Sequence, residues 1–236
     1  MHEAKVFNWL EFFGLGDYPN HVLMAILVGA ILIATTWVAR AQLSAVVKSP
    51  GEGLVPESRL TYRNFFEIVA ESLYKMTENV LGHHNAGTYF PVIGSLFVFI
   101  FLSNLLGVIP GVLPPTENLN TTLALGVFVF IFYNLAGLRA NGLGYLKHFL
   151  GPIVWLAPLM LVIELASHIF RPLSLSMRLR GNIMGDHVVL HVFSGLAPYL
   201  IPVIFYGLGV FVAFIQAFVF CLMTMVYISL SIAHDH

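Results

Sequence analysis

The run Val192–Ala233 reads VFSGLAPYLIPVIFYGLGVFVAFIQAFVFCLMTMVYISLSIA and holds 42 residues without a formal charge or a histidine. The whole chain has 236 residues, of which 58% are hydrophobic and 10% charged, whereas soluble domains average about 25% charged residues. A folded chain of this size leaves roughly a third of its surface uncovered. Because so little of the composition is polar, we infer that this surface faces lipid and that the run is embedded in a membrane.

Further apolar segments on the N-terminal side of this run extend the pattern. A helix needs about 20 mostly apolar residues to cross the ~30 Å hydrocarbon layer. We therefore predict an all-α membrane protein, a single domain over residues 1–236 with about five transmembrane helices and an outer N-terminal segment at 1–21. The predicted spans are 22–41, 88–112, 119–139, 151–195 and 197–233.

Residues 63–82 differ from the spans because they mix apolar residues with charges at helical spacing. The charged positions include Glu71, Lys75 and Glu78. This pattern predicts an amphipathic helix that lies in the membrane interface. A helix in a soluble loop is the alternative.

The last two predicted helices are too long to stand upright in a bilayer. About 43 residues at 1.5 Å per residue make a helix of roughly 64 Å, twice the thickness of the hydrocarbon layer. Each helix must therefore break or tilt strongly. Pro172 and Gly181 permit a break in the first helix, but nothing between Phe211 and Ala233 offers one in the second. We expect a tilted hairpin that is held against protein, since ordinary membrane helices tilt less.

The distribution of basic residues predicts the orientation. Seven of the eleven lysines and arginines lie in the connections after the first and third spans, and basic residues concentrate in cytoplasmic loops. The N-terminus is then outside and the C-terminus cytoplasmic. A net charge of −1 gives no reason to expect a nucleic-acid partner, and the single cysteine, Cys221, excludes a disulfide framework.

The polar residues that can carry chemistry are concentrated in residues 164–191, ELASHIFRPLSLSMRLRGNIMGDHVVLH. A charged side chain at mid-bilayer costs from about 3 to more than 10 kcal/mol, so this stretch is predicted to meet a partner or a water-filled path. His187 lies on the helix face opposite Arg178, at 100° per residue. Six residues fall within about 80° of arc, over ~27 Å of helix: Glu164, His168, Arg171, Leu175, Arg178 and Asn182.

Structural roles are the alternative for several of these side chains. Arg171 and Arg180 could reach to the interface with their charged ends while their stems stay in the apolar layer. Glu164 could simply pair with His168 or Arg171. Arg178 is harder to explain structurally, because it sits deepest in the stretch with no acid one helical turn away.

His187 and His191 could likewise be hydrogen-bonded packing residues. Their i, i+4 spacing is that of a zinc site, but Val188 stands where a zinc protease carries its glutamate. The histidines at 83–84 and 234–236 lie at segment ends, where solvated histidines are common. We therefore predict no metal site, no cofactor and no catalytic site on this chain.

The sequence resembles subunit a of F-type ATP synthases over nearly its whole length. Residues 172–182, PLSLSMRLRGN, are similar to the PxSLxxRLxGN signature of that family. Residues 104–111, NLLGVIPG, resemble its NLLGxxPG stretch, and 216–220, QAFVF, with 225–229, MVYIS, resemble its final helix. Glu164 stands fourteen residues before Arg178, where bacterial members often have a glutamate.

The resemblance implies that Arg178 is the stator arginine facing the ring of c subunits. A permanent guanidinium there would draw the carboxylates of the ring into their ionised form and block a direct leak between two offset half-channels. The resemblance also implies that Glu164 and Ser174 line an outlet path to the cytoplasm. The inlet-path residues, from the resemblance and from the sequence together, are Asn182, Asp186, His187, His191 and Gln216.

Three positions depart from the family pattern. Arg180 stands where many members have phenylalanine, and its side chain diverges by about 200° from that of Arg178, so it should not face the ring. His187 stands where many bacterial members have glutamate, and Gly209 where some carry histidine or glutamate. We hypothesise that Asp186 and the two histidines of the stretch share the inlet role.

The sequence thus predicts the stator ion-channel subunit of a rotary ATP synthase in a bacterial plasma membrane, with catalysis in other subunits. The expected partners are the c-subunit ring, the b subunits of the peripheral stalk, the other subunits of the complex and the lipid bilayer. A self-contained secondary transporter is the main alternative, although the chain has no evident internal repeat. A membrane metalloenzyme is a further one. We expect protons as the coupling ion, and sodium stays open.

Overall fold

The computed structural model describes residues 19–47, 62–142, 144–145, 157–196 and 200–233, and within these ranges the secondary structure is helices and turns. The predicted N-terminal segment therefore lies almost wholly outside the described residues. Five of the helices, all except α2, contain stretches long and apolar enough to cross a membrane, which confirms the predicted all-α membrane fold. The helices are α1 Asn20–Val47, α2 Tyr62–Leu81, α3 His83–Leu106, α4 Leu119–Asn141, α5 Ala157–Leu196 and α6 Leu200–Ile232.

Helix α2 is amphipathic and joins α3 through a single residue, Gly82. Its buried face carries Leu73, Thr77 and Leu81 and packs on α3 and α6. On its exposed face the Lys75 ammonium lies 2.7 Å from the Glu71 carboxylate, which lowers the pKa of that carboxyl. Gly82 has φ 78° and ψ 158°, a region that is accessible essentially to glycine alone. This residue therefore fixes the sharp change of direction between the two helices.

The apolar core lies mainly between α3 and α6. Ile93 and Ile100 of α3 are 0% exposed, as are Ala217 and Cys221 of α6. Aromatic rings extend the contact, with the ring centroids of Phe97 and Phe214 5.9 Å apart in an edge-to-face arrangement. Such interdigitation of apolar side chains is what holds helices together in a bilayer, where lipid offers no hydrophobic gain.

Two glycines let α4 approach both of its neighbours closely. A Cβ atom on Gly126 would lie 2.7 Å from the carbonyl oxygen of Pro172 in α5, and one on Gly137 would lie 2.9 Å from the carbonyl oxygen of Ser231 in α6. The Ser176 hydroxyl of α5 lies 2.9 Å from the Thr122 carbonyl oxygen of α4, to which it donates. Helix α4 is thus fixed between the last two helices.

Helix α5 is continuous over 40 residues although it contains Pro172. At 1.5 Å per residue it is about 60 Å long, twice the thickness of the hydrocarbon layer. Helix α6 has 33 residues. The break that Pro172 and Gly181 would permit is therefore not observed, and both helices are long enough to need a strong tilt in a bilayer.

The turn between α3 and α4 folds back towards α5. A single 3-10 turn, Pro115–Glu117, lies within it, and the side chain of Asn118 accepts a hydrogen bond from the Asn120 amide to cap α4. This turn brings Glu117 to the C-terminal half of α5, which positions the site described below.

We predict that Gly126→Ala destabilises the bundle. The added methyl group must displace the backbone at Pro172 or the Ser176 hydroxyl, so the free energy of unfolding should fall by about 1–3 kcal/mol. Denaturation of the purified protein in mixed micelles, monitored by far-UV circular dichroism, measures this change. Gly29→Ala is the matched control, because a Cβ there would meet nothing within 4 Å. Equal effects of the two substitutions would contradict the close packing of α4 on α5.

Candidate functional site

The six residues from Glu164 to Asn182 that share one face of α5 form the predicted polar stripe. Tertiary packing divides this stripe, so it does not form one exposed surface. His168 is 5% exposed and Leu175 2% exposed, because α4 and α6 cover this part of the helix. Arg178 and Asn182 are exposed. The N-terminal half of the stripe therefore points into the bundle, and the C-terminal half points away from it.

Arg178 lies on an outer face of α5, within a stretch long and apolar enough to cross a membrane. Ser174 and Asn182, which are also exposed, lie within about 40° of it around the helix. The same turn of helix is held against the bundle by Leu175 and Leu179, which are buried. Within the described part of the chain no acidic side chain forms an ion pair with Arg178. The guanidinium is thus presented outward without a counter-charge from its own bundle.

Arg180 points elsewhere, as the helical geometry predicts. Its side chain is half-buried, and its Nε donates a hydrogen bond to the carbonyl oxygen of Glu117 at 3.2 Å. The second arginine therefore holds the 3-10 turn against α5. This contact gives Arg180 a structural role that the sequence did not indicate.

Towards the N-terminus of α5, an acid, a histidine and an arginine meet. The Glu164 Oε1 atom lies 3.4 Å from His168 Nδ1 and 3.5 Å from Arg171 Nη2. The Arg171 guanidinium also stacks over the ring of Tyr227 in α6, 5.5 Å from its centroid. Arg171 is therefore held against protein instead of reaching to the interface. The structural alternative for Glu164 was a pairing with His168 or Arg171, and Glu164 contacts both.

The cluster of Glu164, His168 and Arg171 continues into the bundle through Tyr145. The Tyr145 hydroxyl is 2.9 Å from Asn134 Oδ1, to which it donates, and 3.4 Å from His168 Nε2. The ring of Tyr133 packs beside the imidazole, with centroids 5.8 Å apart. A connected set of polar groups thus runs inward from Glu164. Ser174, the other predicted outlet residue, is exposed and donates to the Arg171 carbonyl oxygen at 3.1 Å.

A cavity lies towards the other end of α5, between α3, α5 and α6. Three of the predicted inlet residues line it, namely Asp186, His187 and Gln216, and Asn104 of α3 adds a fourth polar side chain. Gly209 forms part of the wall, so this position contributes only backbone to the cavity. Asn182 lies instead on the exposed face with Arg178. The side chain of His191 is outside the described residues.

His187 connects this cavity to the turn between α3 and α4. Its Nε2 atom is 3.2 Å from the carbonyl oxygen of Gly107, and its Nδ1 atom is 3.3 Å from Glu117 Oε2. The side chains of Glu117 and His187 are about one-third exposed, but the Oε2 atom itself is shielded. An acid and a histidine are therefore in contact beside the cavity.

Glu117 was missed by the sequence-based interpretation. The only available signal was that it is the sole acidic residue between Glu78 and Glu164, in a turn where a solvated carboxylate needs no explanation. Tyr145 and Asn134 were missed as well, because neither belongs to a recognisable motif. Their roles depend on contacts between helices that the order of residues along the chain does not encode.

The fold and these two clusters define the chain as a multi-pass α-helical membrane protein with ionisable groups held inside the bundle and one cation presented outside it. A family profile described as ATP synthase A chain matches residues 22–229, and the chain belongs to that family. The ATP synthase subunit a of Bdellovibrio bacteriovorus is 46% identical over 98% of this chain and 99% of its own length. Those of Geobacter sulfurreducens and Geotalea uraniireducens are 44% and 43% identical, each over 97% of both chains.

We predict that the hydrogen bond from Thr116 to Asn104 anchors the 3-10 turn. The Thr116 hydroxyl is buried and donates to Asn104 Oδ1 at 2.8 Å. Thr116→Val leaves that acceptor buried without its donor, which should lower the free energy of unfolding by about 1–3 kcal/mol.

A double-mutant cycle with Asn104→Leu tests this assignment by chemical denaturation. Because the double variant removes both partners, it should be less destabilised than the sum of the two single variants. Simple additivity would show that the two side chains do not interact.

Proposed function

We propose that this chain is the ion-conducting stator subunit of a rotary ATP synthase. One observation carries the proposal: Arg178 is exposed on an outer face of a membrane-spanning helix with no counter-ion among the described residues, between the cluster around Glu164 and a polar cavity. A cation held without a partner in a membrane costs several kcal/mol. Such an arrangement is stable in the complex only if a neighbouring protein supplies negative charge at that face.

The carboxylates of a c-subunit ring supply that charge. In the lipid a ring carboxyl is neutral, because burying its charged form is expensive. Beside Arg178 the ionised form is favoured, so each carboxyl releases its proton as it arrives and must bind another before it leaves. The arginine remains charged throughout, since its ordinary pKa exceeds about 12.

The placement of the polar groups supports two separate paths to this face in this proposal. Asp186, His187 and Gln216 provide the inlet path through the cavity that they line, with Asn182 between the cavity and Arg178, and His191 one helical turn further on. Glu164 and Ser174 provide the outlet path. Because the two paths approach the ring at different positions along α5, an ion crosses only if the ring turns.

The electrical potential drives the ring in one direction. Moving one elementary charge through 100 mV is worth about 2.3 kcal/mol, and the offset paths convert this energy into rotation. The chain itself carries no catalytic site in this proposal, and ATP is made by other subunits. Its partners are the c ring, the b subunits and the remaining subunits, in a bacterial plasma membrane with the N-terminus outside and the C-terminus cytoplasmic. Protons are the proposed coupling ion.

We predict that Arg178→Ala abolishes ATP-driven proton pumping. Without the cation, nothing favours the ionised ring carboxylate or blocks a direct leak, whereas the exposed position of Arg178 makes it dispensable for the packing of the bundle. The complete complex, purified and reconstituted into vesicles, should still assemble, and fluorescence quenching of a pH-sensitive dye should show pumping at background level.

Arg139→Ala is the control, because Arg139 is exposed in the last turn of α4 and distant in sequence from the polar stretch. It should pump at the wild-type rate. Normal pumping by the Arg178→Ala complex would overturn the proposed mechanism.

A further inference from the structure

The contact between Glu117 and His187 has a chemical consequence that follows from hydrogen-bond roles alone. The Nε2 atom of His187 lies 3.2 Å from the Gly107 carbonyl oxygen, and a carbonyl oxygen can only accept a hydrogen bond. Nε2 therefore carries a hydrogen. In the neutral ring the other nitrogen, Nδ1, then has a lone pair and is an acceptor.

This Nδ1 atom faces the Oε2 atom of Glu117 at 3.3 Å. An ionised carboxylate is also only an acceptor, so two acceptors would face each other, and the Oε2 atom has no hydrogen-bond partner within the described part of the chain. Two lone pairs at this distance repel, and a shielded carboxylate without a donor is costly. The arrangement is stable when one proton lies between the two atoms, either as a carboxylic acid or as an imidazolium.

We propose that Glu117 and His187 form a one-proton store at the mouth of the inlet path, with Glu117 as the group that first receives the proton. This inference rests on the proposed function and deepens it. Glu117 lies in the turn between two membrane helices, while His187 lines the cavity. The pair thus connects the end of the bundle to the inside of the inlet path.

The transfer conserves atoms and charge. A proton from the aqueous side forms an O–H bond on the Glu117 carboxylate. That bond breaks as an N–H bond forms at Nδ1 of His187, which leaves a carboxylate beside an imidazolium. The imidazolium then releases the proton on Nδ1 towards the cavity, while Nε2 keeps its hydrogen and its bond to the Gly107 carbonyl oxygen. The ring returns to its starting tautomer, and Glu117 is ready for the next proton.

The other charged and titratable groups around the pair are few among the described residues. Asp186 precedes His187 on α5, and Tyr206 of α6 lines the same cavity. Arg180 is bound to the Glu117 carbonyl oxygen. From α1, His21 contacts Asn118 at 3.3 Å, next to Glu117. Helix α3 contributes Asn104, and the turn after it contributes the Gly107 carbonyl; neither group titrates.

The pair also explains how the inlet path functions with glycine at position 209. The wall of the cavity there has no ionisable side chain. Glu117, from the turn between α3 and α4, supplies an acid in contact with His187, which lines the cavity. The 3.2 Å hydrogen bond from Arg180 to the Glu117 backbone holds this acid in place.

Glu117→Gln tests the store in the complete ATP synthase reconstituted into vesicles. The amide keeps the shape of the side chain and can donate to Nδ1, but it cannot carry a proton. ATP synthesis is measured at constant driving force while the inlet-side pH is varied from about 6 to 8.5, the range over which an unassisted histidine loses its charge. We expect a small deficit at the acid end that grows to about tenfold at the alkaline end.

Two further variants keep the test decisive if Glu117→Gln assembles poorly. Glu117→Asp retains a carboxyl group and should retain the shape of the wild-type pH profile at a lower rate. His187→Gln removes the other half of the pair and should show the growing alkaline deficit. Glu71→Gln is the matched control, because Glu71 is exposed on α2 and pairs only with Lys75 among the described residues, and its profile should equal that of the wild type.

The outcomes separate this inference from the proposed function. A deficit of constant size at every pH in Glu117→Gln, or none, overturns the proton store. If Arg178→Ala blocks synthesis while Glu117→Gln behaves like the wild type, only the store is wrong. If Arg178→Ala still synthesises ATP, the stator function is wrong and the pH profiles lose this interpretation.

Discussion

A permanent cation on the outer face of a membrane helix, without a counter-ion among the described residues, is the constraint around which the rest of the bundle is arranged. Arg178 cannot lose its charge, and in a membrane that charge is costly unless a partner compensates it. Two acids of the bundle contact other residues instead. Glu164 pairs with His168 and Arg171 towards one end of α5, and Glu117 contacts His187 towards the other. Each acid is already matched within the chain, and this leaves the arginine for a neighbour.

The polar groups are separated along α5 because the helix is much longer than the bilayer is thick. About 60 Å of continuous helix gives room for an interior cluster, an outward cation and a cavity on different faces and at different heights. The length of the helix thus allows the two clusters to be separated.

Helical periodicity made part of this arrangement predictable. The spans, the amphipathic α2 and the divergence of Arg178 from Arg180 follow from composition and from 100° per residue, which depend only on the local sequence. Helical periodicity placed His168 on the predicted polar stripe. The side chain is instead buried, because Tyr133 and Tyr145 from another part of the chain cover it. Glu117 contacts His187, which lies 70 residues further along the chain, only because the turn after α3 folds back towards α5. Such long-range contacts depend on tertiary packing and cannot be predicted from a local sequence pattern.

The Ser176 hydroxyl, placed between the carbonyl oxygens of Thr122 and Pro172, ties α5 to α4 only two residues from Arg178. The absence of a side chain at Gly126 lets the two backbones touch at the same level. A helix fastened in this way resists twisting about its own axis, because it must first separate from its neighbour. In the proposed stator, this contact would hold the charge of Arg178 at a fixed angle while the rotor turns.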